Sequence, residues 1–144
     1  MINQKNNLFL HKQFCFSTPE FCISKMVKIV LIDDDPISAF VTEKLISRNI
    51  SEPFEFYKFD NAPDALKDIY DINPNYLFLD LNMPEMSGWE FLEEFHPTET
   101  DNPEIYILSS SIDERDINKA LDYSMVKRYL SKPLIKKYIK SIFS

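Results

Sequence analysis

Residues 27–36 read VKIVLIDDDP and contain the pattern that decides the fold. The first six residues, Val27–Ile32, form a run rich in β-branched and aliphatic side chains, which is typical of a strand buried on both faces of a parallel sheet. Three aspartates follow the run, and Pro36 has the backbone geometry favoured at the first position of a helix. The stretch therefore predicts a strand, an acidic turn and a helix.

This strand-and-helix unit recurs four times downstream. The predicted strands are Val27–Ile32, Phe54–Phe59, Tyr76–Leu79, Ile105–Leu108 and Val126–Leu130. The predicted helices begin near Pro36, Ala62, Ser87, Asp113 and Leu134. The alternation is typical of an α/β fold of the doubly wound (βα)5 kind, in which five parallel strands are joined by right-handed crossovers and covered by helices on both faces.

Three of the helices carry apolar side chains three and four residues apart, and in the second helix these are Ala65, Leu66, Ile69 and Ile72. This is the spacing of an amphipathic helix, whose apolar side faces the core. In the first helix these residues are Ile37, Phe40, Val41 and Leu45. In the fourth helix the residues expected to face inward are Ile117, Ala120 and Leu121.

Polar residues directly follow each predicted strand. They are Asp33, Asp34, Asp35, Asp60, Asp80, Ser109 and Lys132. Ligand sites of doubly wound folds lie beyond the carboxyl ends of the strands, near the point where the strand order reverses, so we expect these residues to converge there. Asp35 is the exception, because it is expected to be a loop residue or a helix cap.

The acids Asp33, Asp34 and Asp80 predict a cation site. Two carboxylates about 4 Å apart repel by roughly 4 kcal/mol at an effective dielectric near 20, so such a cluster takes up protons or binds a cation. Hard carboxylate oxygens with room for water suit Mg²⁺. Lys132 could hold a phosphate oxygen, and the Ser109 hydroxyl could donate to one. Together these groups predict a phosphoryl-transfer site in which an aspartate can be the nucleophile.

The composition excludes several other functions. Sixteen basic and 23 acidic residues give a net charge of −7, and a nucleic-acid-binding protein would need a basic face. No run approaches the roughly 20 apolar residues that span a bilayer, so we expect no membrane segment. Gly88 is the single glycine, whereas a chain of this size ordinarily holds about ten. Glycine-rich phosphate loops are therefore excluded.

Residues 1–25 differ from the rest of the chain. They contain both cysteines, carry a net charge of +2 and show neither helical nor strand periodicity. We expect a disordered arm, or translation from a start codon upstream of the natural one at Met26; a docking or membrane-touching arm is the alternative. The domain would then comprise residues 26–144, whose lack of cysteine fits a reducing cytoplasm.

From Met26 to Ser144 the chain closely resembles a response-regulator receiver domain, the CheY-like module of two-component signalling. Four motifs carry the resemblance: VLIDDD at 30–35, YLFLDLNMPEMSG at 76–88, ILSS at 107–110 and YLSKP at 129–133. The second motif is the most specific, and it contains Pro84 and Gly88 where the family has structural residues. The resemblance implies the flavodoxin-like strand order 2-1-3-4-5.

The resemblance also implies roles for the residues of the site. Asp80 would accept a phosphoryl group from a histidine kinase or a histidine phosphotransfer protein. Mg²⁺ would be bound directly by Asp34 and Asp80, largely through water by Asp33, and by the backbone carbonyl of Asn82. Lys132 would pair with Asp80 and then with the phosphate.

The implied output is a conformational switch. Ser109 would hydrogen-bond the phosphoryl group, and Tyr129 would rotate inward from an outward position. The surface formed by the fourth helix, fifth strand and fifth helix would then change and bind an unknown downstream protein. Pro133 would follow a cis peptide bond. The chain would catalyse only its own phosphorylation and slow dephosphorylation, so it is not expected to be an enzyme, and Asn82 and Ser111 would tune the access of water.

The sequence predicts a stand-alone receiver, with no second domain expected after Ser144. Two alternatives from other classes stay open. A haloacid-dehalogenase-like phosphatase would use Asp33 and Asp35 together with Ser109 and Lys132. A phosphorylation-independent interaction module would keep the fold around a vestigial site. Phosphate on Asp80 would indicate a receiver, whereas phosphate on Asp33 would indicate the phosphatase.

Overall fold

A computed structural model describes residues 26–144, so the expectations for residues 1–25 lie outside the described residues. Strands and helices alternate five times, as predicted. The elements are β1 (Val27–Ile32), α1 (Pro36–Asn49), β2 (Phe54–Phe59), α2 (Ala62–Ile72), β3 (Tyr76–Asp80), α3 (Gly88–Glu94), β4 (Glu104–Ser109), α4 (Glu114–Leu121), β5 (Val126–Ser131) and α5 (Lys136–Phe143).

The five strands form one parallel sheet in the order β2-β1-β3-β4-β5. This order confirms the doubly wound fold. The chain adds β2 on one side of β1 and β3 on the other, so the direction of winding reverses between β1 and β3. Residues that follow these two strands therefore lie side by side at the crevice where such folds bind ligands.

Side chains of the central strands are buried on both faces of the sheet, because consecutive residues of a strand point to opposite sides. Val30 and Ile32 of β1 belong to a core shared with α2, α3 and α4, whereas Ile29 and Leu31 belong to a core shared with α1 and α5. All four residues have no exposed surface. The apolar run at 29–32 thus fills both layers.

The helices begin at polar caps. Asp35 accepts a hydrogen bond from the Ile37 N–H (2.9 Å) and is the N-cap of α1, as predicted. Asn61 and Asp113 cap α2 and α4 in the same way. Ser87 and Glu90 form a capping box at the start of α3. These side chains satisfy backbone N–H groups that a helix start leaves without partners.

The predicted core-facing side of α1 is wrong for three of its four residues, whereas Leu45 is half-buried and packs against the core shared with α1 and α5. Ile37, Phe40 and Val41 are 75%, 56% and 41% exposed, and α1 instead buries Ala39, Thr42, Glu43 and Ile46. A glutamate can lie on this inner side because the Lys58 ammonium group donates to its carboxylate at 2.8 Å. The apolar stripe of α1 therefore remains on the surface.

The face of α4 is only partly as predicted. Ala120 is fully buried, but Leu121 is 67% exposed and Ile117 is half-buried. Leu121 directly follows the buried Ala120, and consecutive residues of a helix lie about 100° apart around its axis, so Leu121 points away from the side that Ala120 buries.

Candidate functional site

Three carboxylates meet at the carboxyl ends of β1 and β3. Asp33, Asp34 and Asp80 each have one oxygen within 4.8 Å of the others. Asp33 and Asp80 are buried, being 2% and 5% exposed, whereas Asp34 is exposed to solvent. At 4.8 Å two carboxylates repel by roughly 3.5 kcal/mol for an effective dielectric near 20. The cluster therefore needs positive charge.

Lys132 supplies part of this positive charge. Its Nζ donates to Asp33 Oδ2 at 2.8 Å and to Asp80 Oδ2 at 3.2 Å. It follows β5 directly, its backbone N–H donates to the Ser109 carbonyl, and the peptide bond to Pro133 is cis, as the resemblance implies. Burial alone would lower the pKa of Lys132, but the hydrogen bonds and charges of the two aspartates outweigh it and raise the pKa above its usual range. The amine therefore stays protonated.

Neighbouring groups have opposing effects on the pKa of Asp80. Burial raises the pKa of its carboxyl group above the usual range, and the charge of Asp33 adds to this effect. The Lys132 charge and the Asn82 N–H, which donates to Asp80 Oδ1 at 3.2 Å, act in the opposite direction but do not cancel it. A further cation beside Asp80 would favour its charged form.

Asp33 is held in place on both of its oxygens. The Ser38 hydroxyl donates to Oδ2 at 2.7 Å, beside the Lys132 ammonium group, and the Asp35 N–H donates to Oδ1 at 3.0 Å. The acid is therefore oriented by the first turn of α1 and fixed in one position. Asp33 accepts three hydrogen bonds of 2.7–3.0 Å, whereas Asp80 accepts two of 3.2 Å, so Asp33 is the more firmly held acid and suits a supporting role.

The donor set fits Mg²⁺. Hard oxygen ligands, of which one or two are carboxylates, and room for water are what this ion requires. Asp34 and Asp80 offer carboxylates for direct binding, Asp33 could act through water, and the exposed Asn82, with its backbone carbonyl, lies in the loop that follows Asp80. The solvent exposure of Asp34 leaves one side open to water.

The loop after Asp80 packs closely on the start of α3. The Gly88 N–H donates to the Leu81 carbonyl at 3.0 Å. A Cβ atom at Gly88 would lie 2.5 Å from the Asp80 carbonyl oxygen and 2.9 Å from Leu81 Cα. Because φ is not positive at this glycine, the close approach and not the backbone conformation requires it. Within the same loop, the Pro84 carbonyl accepts a hydrogen bond from Met86.

Ser109 ends β4 on the other side of β3 and has no exposed surface. Its Oγ accepts a hydrogen bond from the Ser111 N–H at 3.1 Å. The Ser111 carbonyl in turn accepts one from the Tyr129 hydroxyl at 2.9 Å. Tyr129 is half-buried and packs against the core shared with α2, α3 and α4, so its ring does not point outward.

Ser111 also joins this chain of contacts to α4. Its Oγ donates to the Asp116 carboxylate at 3.2 Å and accepts from the Asp113 N–H at 3.3 Å. At the far end of α4, the Lys119 ammonium group lies 4.5 Å from the ring centre of Trp89. Trp89 follows Gly88 and stacks on Tyr123. The single tryptophan, the second residue of α3, therefore contacts the end of α4 and Tyr123 just beyond it.

The acids lie at one side of a cleft of about 510 Å³. Its lining includes Asp34, Asp80 and Lys132, together with the apolar side chains of Ile37, Val41 and Leu134. The sequence did not predict this apolar wall, because the helical spacing of Ile37 and Val41 is that of residues facing the core. A cleft of similar size, about 540 Å³, lies around Lys28 and Asn75 and is lined by none of the predicted site residues.

Asp60 does not join the site. Its carboxylate accepts a hydrogen bond from the side chain of Asn61 at 2.8 Å, and it is outside the group formed by Asp33, Asp34 and Asp80. The reason is the strand order, because β2 lies on the far side of β1 from β3.

None of the helices in residues 26–144 is long and apolar enough to cross a membrane.

Comparison with known proteins places these features in a family. A family model for the response regulator receiver domain matches residues 29–143. The cell cycle response regulator CtrA of Brucella ovis is 31% identical over 112 residues, which are 76% of this chain and 45% of that protein. The hybrid signal transduction histidine kinase C of Dictyostelium discoideum is 35% identical over 63 residues, which are 44% of this chain and 5% of that protein. The chain thus spans less than half the length of these relatives.

A solved structure agrees over most of the chain. The two component response regulator from Cytophaga hutchinsonii superimposes with a TM-score of 0.73 and 28% identity, covering 83% of this chain and 95% of the other. The signal receiver domain of a putative Luxo repressor protein from Vibrio parahaemolyticus, at 19% identity and a TM-score of 0.70, covers 81% of this chain and 86% of that one and shares the fold.

Proposed function

Because the chain belongs to the response regulator receiver domain family, we propose that it acts as a cytoplasmic response regulator. It accepts a phosphoryl group on Asp80 from a histidine kinase or a histidine phosphotransfer protein, and this reaction depends on Mg²⁺. Receiver domains are signalling modules, so the product of the reaction is a changed surface that binds a downstream protein.

The observation that carries this proposal is the position of Lys132. Its ammonium group contacts both Asp33 and Asp80, and Asp34 completes the acid cluster beside them. Phosphoryl transfer depends mostly on positioning and on neutralising charge at the transferred group. A buried aspartate next to a fixed lysine and an open carboxylate meets both requirements.

In the proposed step an Asp80 carboxylate oxygen attacks the phosphorus atom of a phosphohistidine. The new O–P bond forms as the P–N bond breaks, and its electron pair returns to the imidazole ring. Lys132 moves toward the phosphoryl oxygens while it keeps the contact with Asp33. Mg²⁺ bound by Asp33, Asp34, Asp80 and the Asn82 carbonyl would neutralise charge on the phosphoryl oxygens.

We test the phosphorylation site with acetyl phosphate as a small donor and mass spectrometry as the readout. We expect Mg²⁺-dependent labelling of Asp80, no labelling of Asp80→Asn, and unchanged labelling of the control variant Asp60→Asn. Persistent labelling of Asp80→Asn would mean that the phosphorylated residue lies elsewhere. Labelling of Asp33 would support the phosphatase alternative.

The proposed switch runs through Ser109. A phosphoryl group on Asp80 offers an acceptor to the Ser109 hydroxyl, and movement of Ser109 would displace Ser111 and, with it, the hydrogen bond of Tyr129. Modification can bias such an equilibrium only through contacts that differ between the two states. We expect Ser109→Ala to be labelled normally but to show a smaller change in Trp89 fluorescence. An equal change would exclude Ser109 from the switch.

The donor protein is proposed to dock on the exposed apolar stripe of α1. Ile37 and Val41 of this stripe line the cleft that contains Asp80, and Phe40 extends it. We expect Ile37→Ser to slow transfer from a phosphorylated histidine phosphotransfer protein while labelling by acetyl phosphate stays normal. Leu121→Ser, which changes a similarly exposed apolar residue on α4 (67% against 75% for Ile37), is the control. Equal slowing by both variants would contradict this docking site.

A further inference from the structure

The end of the chain differs sharply in charge from the rest of the domain. Residues 123–144 contain six basic side chains and no acidic one, whereas residues 26–122 contain seven basic and 22 acidic side chains, a net charge of −15. One of the six, Lys132, lies in the acid cluster. The other five are exposed and are here called the basic surface: Lys127, Arg128, Lys136, Lys137 and Lys140.

The fold brings the basic surface together at one edge of the molecule. β5 is an edge strand of the sheet, and α5 follows it. The Arg128 guanidinium donates to Ser141 Oγ at 2.8 Å and lies over the ring of Tyr138, both of which belong to α5. Because α5 packs on the core through Ile139, its lysines are left on the outer side.

The charges of this surface are not neutralised within residues 26–144. None of its five side chains forms an ion pair there, although acidic residues outnumber basic ones overall. Lys136 and Lys140 are four residues apart on α5, a spacing at which like charges destabilise a helix by roughly 0.2–0.5 kcal/mol. The arrangement costs stability in the isolated domain, as expected of a surface whose partner is another molecule.

We propose that the basic surface binds an acidic protein segment of the downstream partner. This inference rests on the proposed function, because it gives the chemistry of the partner of that switch. Ile135, 46% exposed beside Lys136, offers an apolar contact, so the segment carries apolar as well as acidic side chains. A nucleic acid fits less well, because a long polyanion would also meet the remaining domain with its net charge of −15.

The test measures fluorescence anisotropy of a short labelled peptide containing glutamate and leucine, with the full 144-residue chain before and after treatment with acetyl phosphate and Mg²⁺. We expect the double variant Lys136→Gln/Lys140→Gln to bind about fivefold more weakly than the unchanged protein, the combined effect of two exposed ion pairs. The control Lys67→Gln/Arg115→Gln also removes two exposed positive charges and should bind normally. A matching peptide with glutamine in place of glutamate should not bind.

Equal binding by the two double variants, or by the glutamate and glutamine peptides, would overturn the inference. Tighter binding of a single-stranded oligonucleotide of the same net charge would also overturn it and would identify nucleic acid as the ligand. Labelling of Asp80 is measured on the same samples. Normal labelling without peptide binding would overturn only the proposal that the basic surface binds an acidic segment. Peptide binding without labelling would support that proposal and overturn the proposed phosphoryl transfer.

Discussion

Replacing Gly88 with alanine sets two effects of opposite sign against each other. Alanine is a better helix former than glycine by roughly 1 kcal/mol in a helix interior, and Gly88 is the first residue of α3. On propensity alone the substitution would stabilise the protein. The packing of the loop predicts that the substitution destabilises the protein, because the added Cβ would clash with backbone atoms of Asp80 and Leu81.

The size of the clash decides the sign. Cβ atoms ordinarily stay at least 3.4 Å from their neighbours, whereas this one would lie 2.5 Å from the Asp80 carbonyl oxygen, so the backbone must move by about 0.9 Å. Overpacking of this kind costs about 1–3 kcal/mol. We expect a net loss of about 0–2 kcal/mol in the free energy of unfolding, since the gain in propensity offsets roughly 1 kcal/mol of that cost.

The same displacement should affect function, because the atoms that must move belong to Asp80 and Leu81. A shift of about 1 Å in a reacting group can slow a reaction by roughly 100-fold, so we expect labelling of Gly88→Ala by acetyl phosphate to be at least tenfold slower. Stability is measured by urea unfolding followed by circular dichroism. Glu94→Ala, at an exposed position of the same helix, is the control. If Gly88→Ala were as stable as the unchanged protein and labelled at the same rate, the argument from close packing would be refuted.

Three further predictions follow from other parts of the structure. Saturating Mg²⁺ should raise the melting temperature and change the fluorescence of Trp89, since binding at a ligand concentration of 100 times Kd stabilises a protein by about 2.7 kcal/mol. Asp34→Asn should lose both effects. An unchanged melting temperature in the unmodified protein would contradict the metal site. Burial, the hydrogen bond to Glu55 and the charge of Glu55 raise the pKa of Tyr57 to about 12, so the stability that this tyrosine confers is present below pH 10 and is lost as the pH rises toward 12. Urea unfolding at several pH values should show this loss, and Glu55→Gln should lessen it. Glu43→Ala should cost about 1–3 kcal/mol in urea unfolding, because it removes the buried partner of Lys58; a loss no larger than that of the exposed Glu94→Ala would show that the ion pair contributes little.

The fold could be predicted because the same pattern recurs through the domain: an apolar run that forms a strand is followed by polar residues and then by a helix. The runs at 27–32 and 76–79 could only be buried strands, and the rule for strand ends then brought Asp33, Asp34 and Asp80 to one place. The same rule failed for Asp60, since it does not say which strands are neighbours of the site. Strand order had to come from the family resemblance.

The errors have a common physical origin. Helical spacing shows that α1 has an apolar side, but it does not show that Ile37 and Phe40 lie on the solvent side while Glu43 is buried with Lys58. That outcome depends on a contact between elements distant in sequence. The net charge of −7 likewise concealed the basic surface, because a sum over the chain does not record where charges lie. The close approach at Gly88 was also beyond prediction from spacing alone.

Every polar group of Ser111 takes part in a hydrogen bond. Its N–H donates to the Ser109 hydroxyl, and its carbonyl accepts from the Tyr129 hydroxyl. Its own hydroxyl donates to the Asp116 carboxylate and accepts from the Asp113 N–H. A residue held by four hydrogen bonds cannot shift by a small amount without straining several of them at once. Its neighbours should consequently rearrange in concert, and partial activation would take the form of a mixture of two discrete populations. In a nuclear magnetic resonance titration, the amide of Ser111 would then give two peaks of changing intensity in slow exchange, or one averaged peak in fast exchange that travels along a straight line.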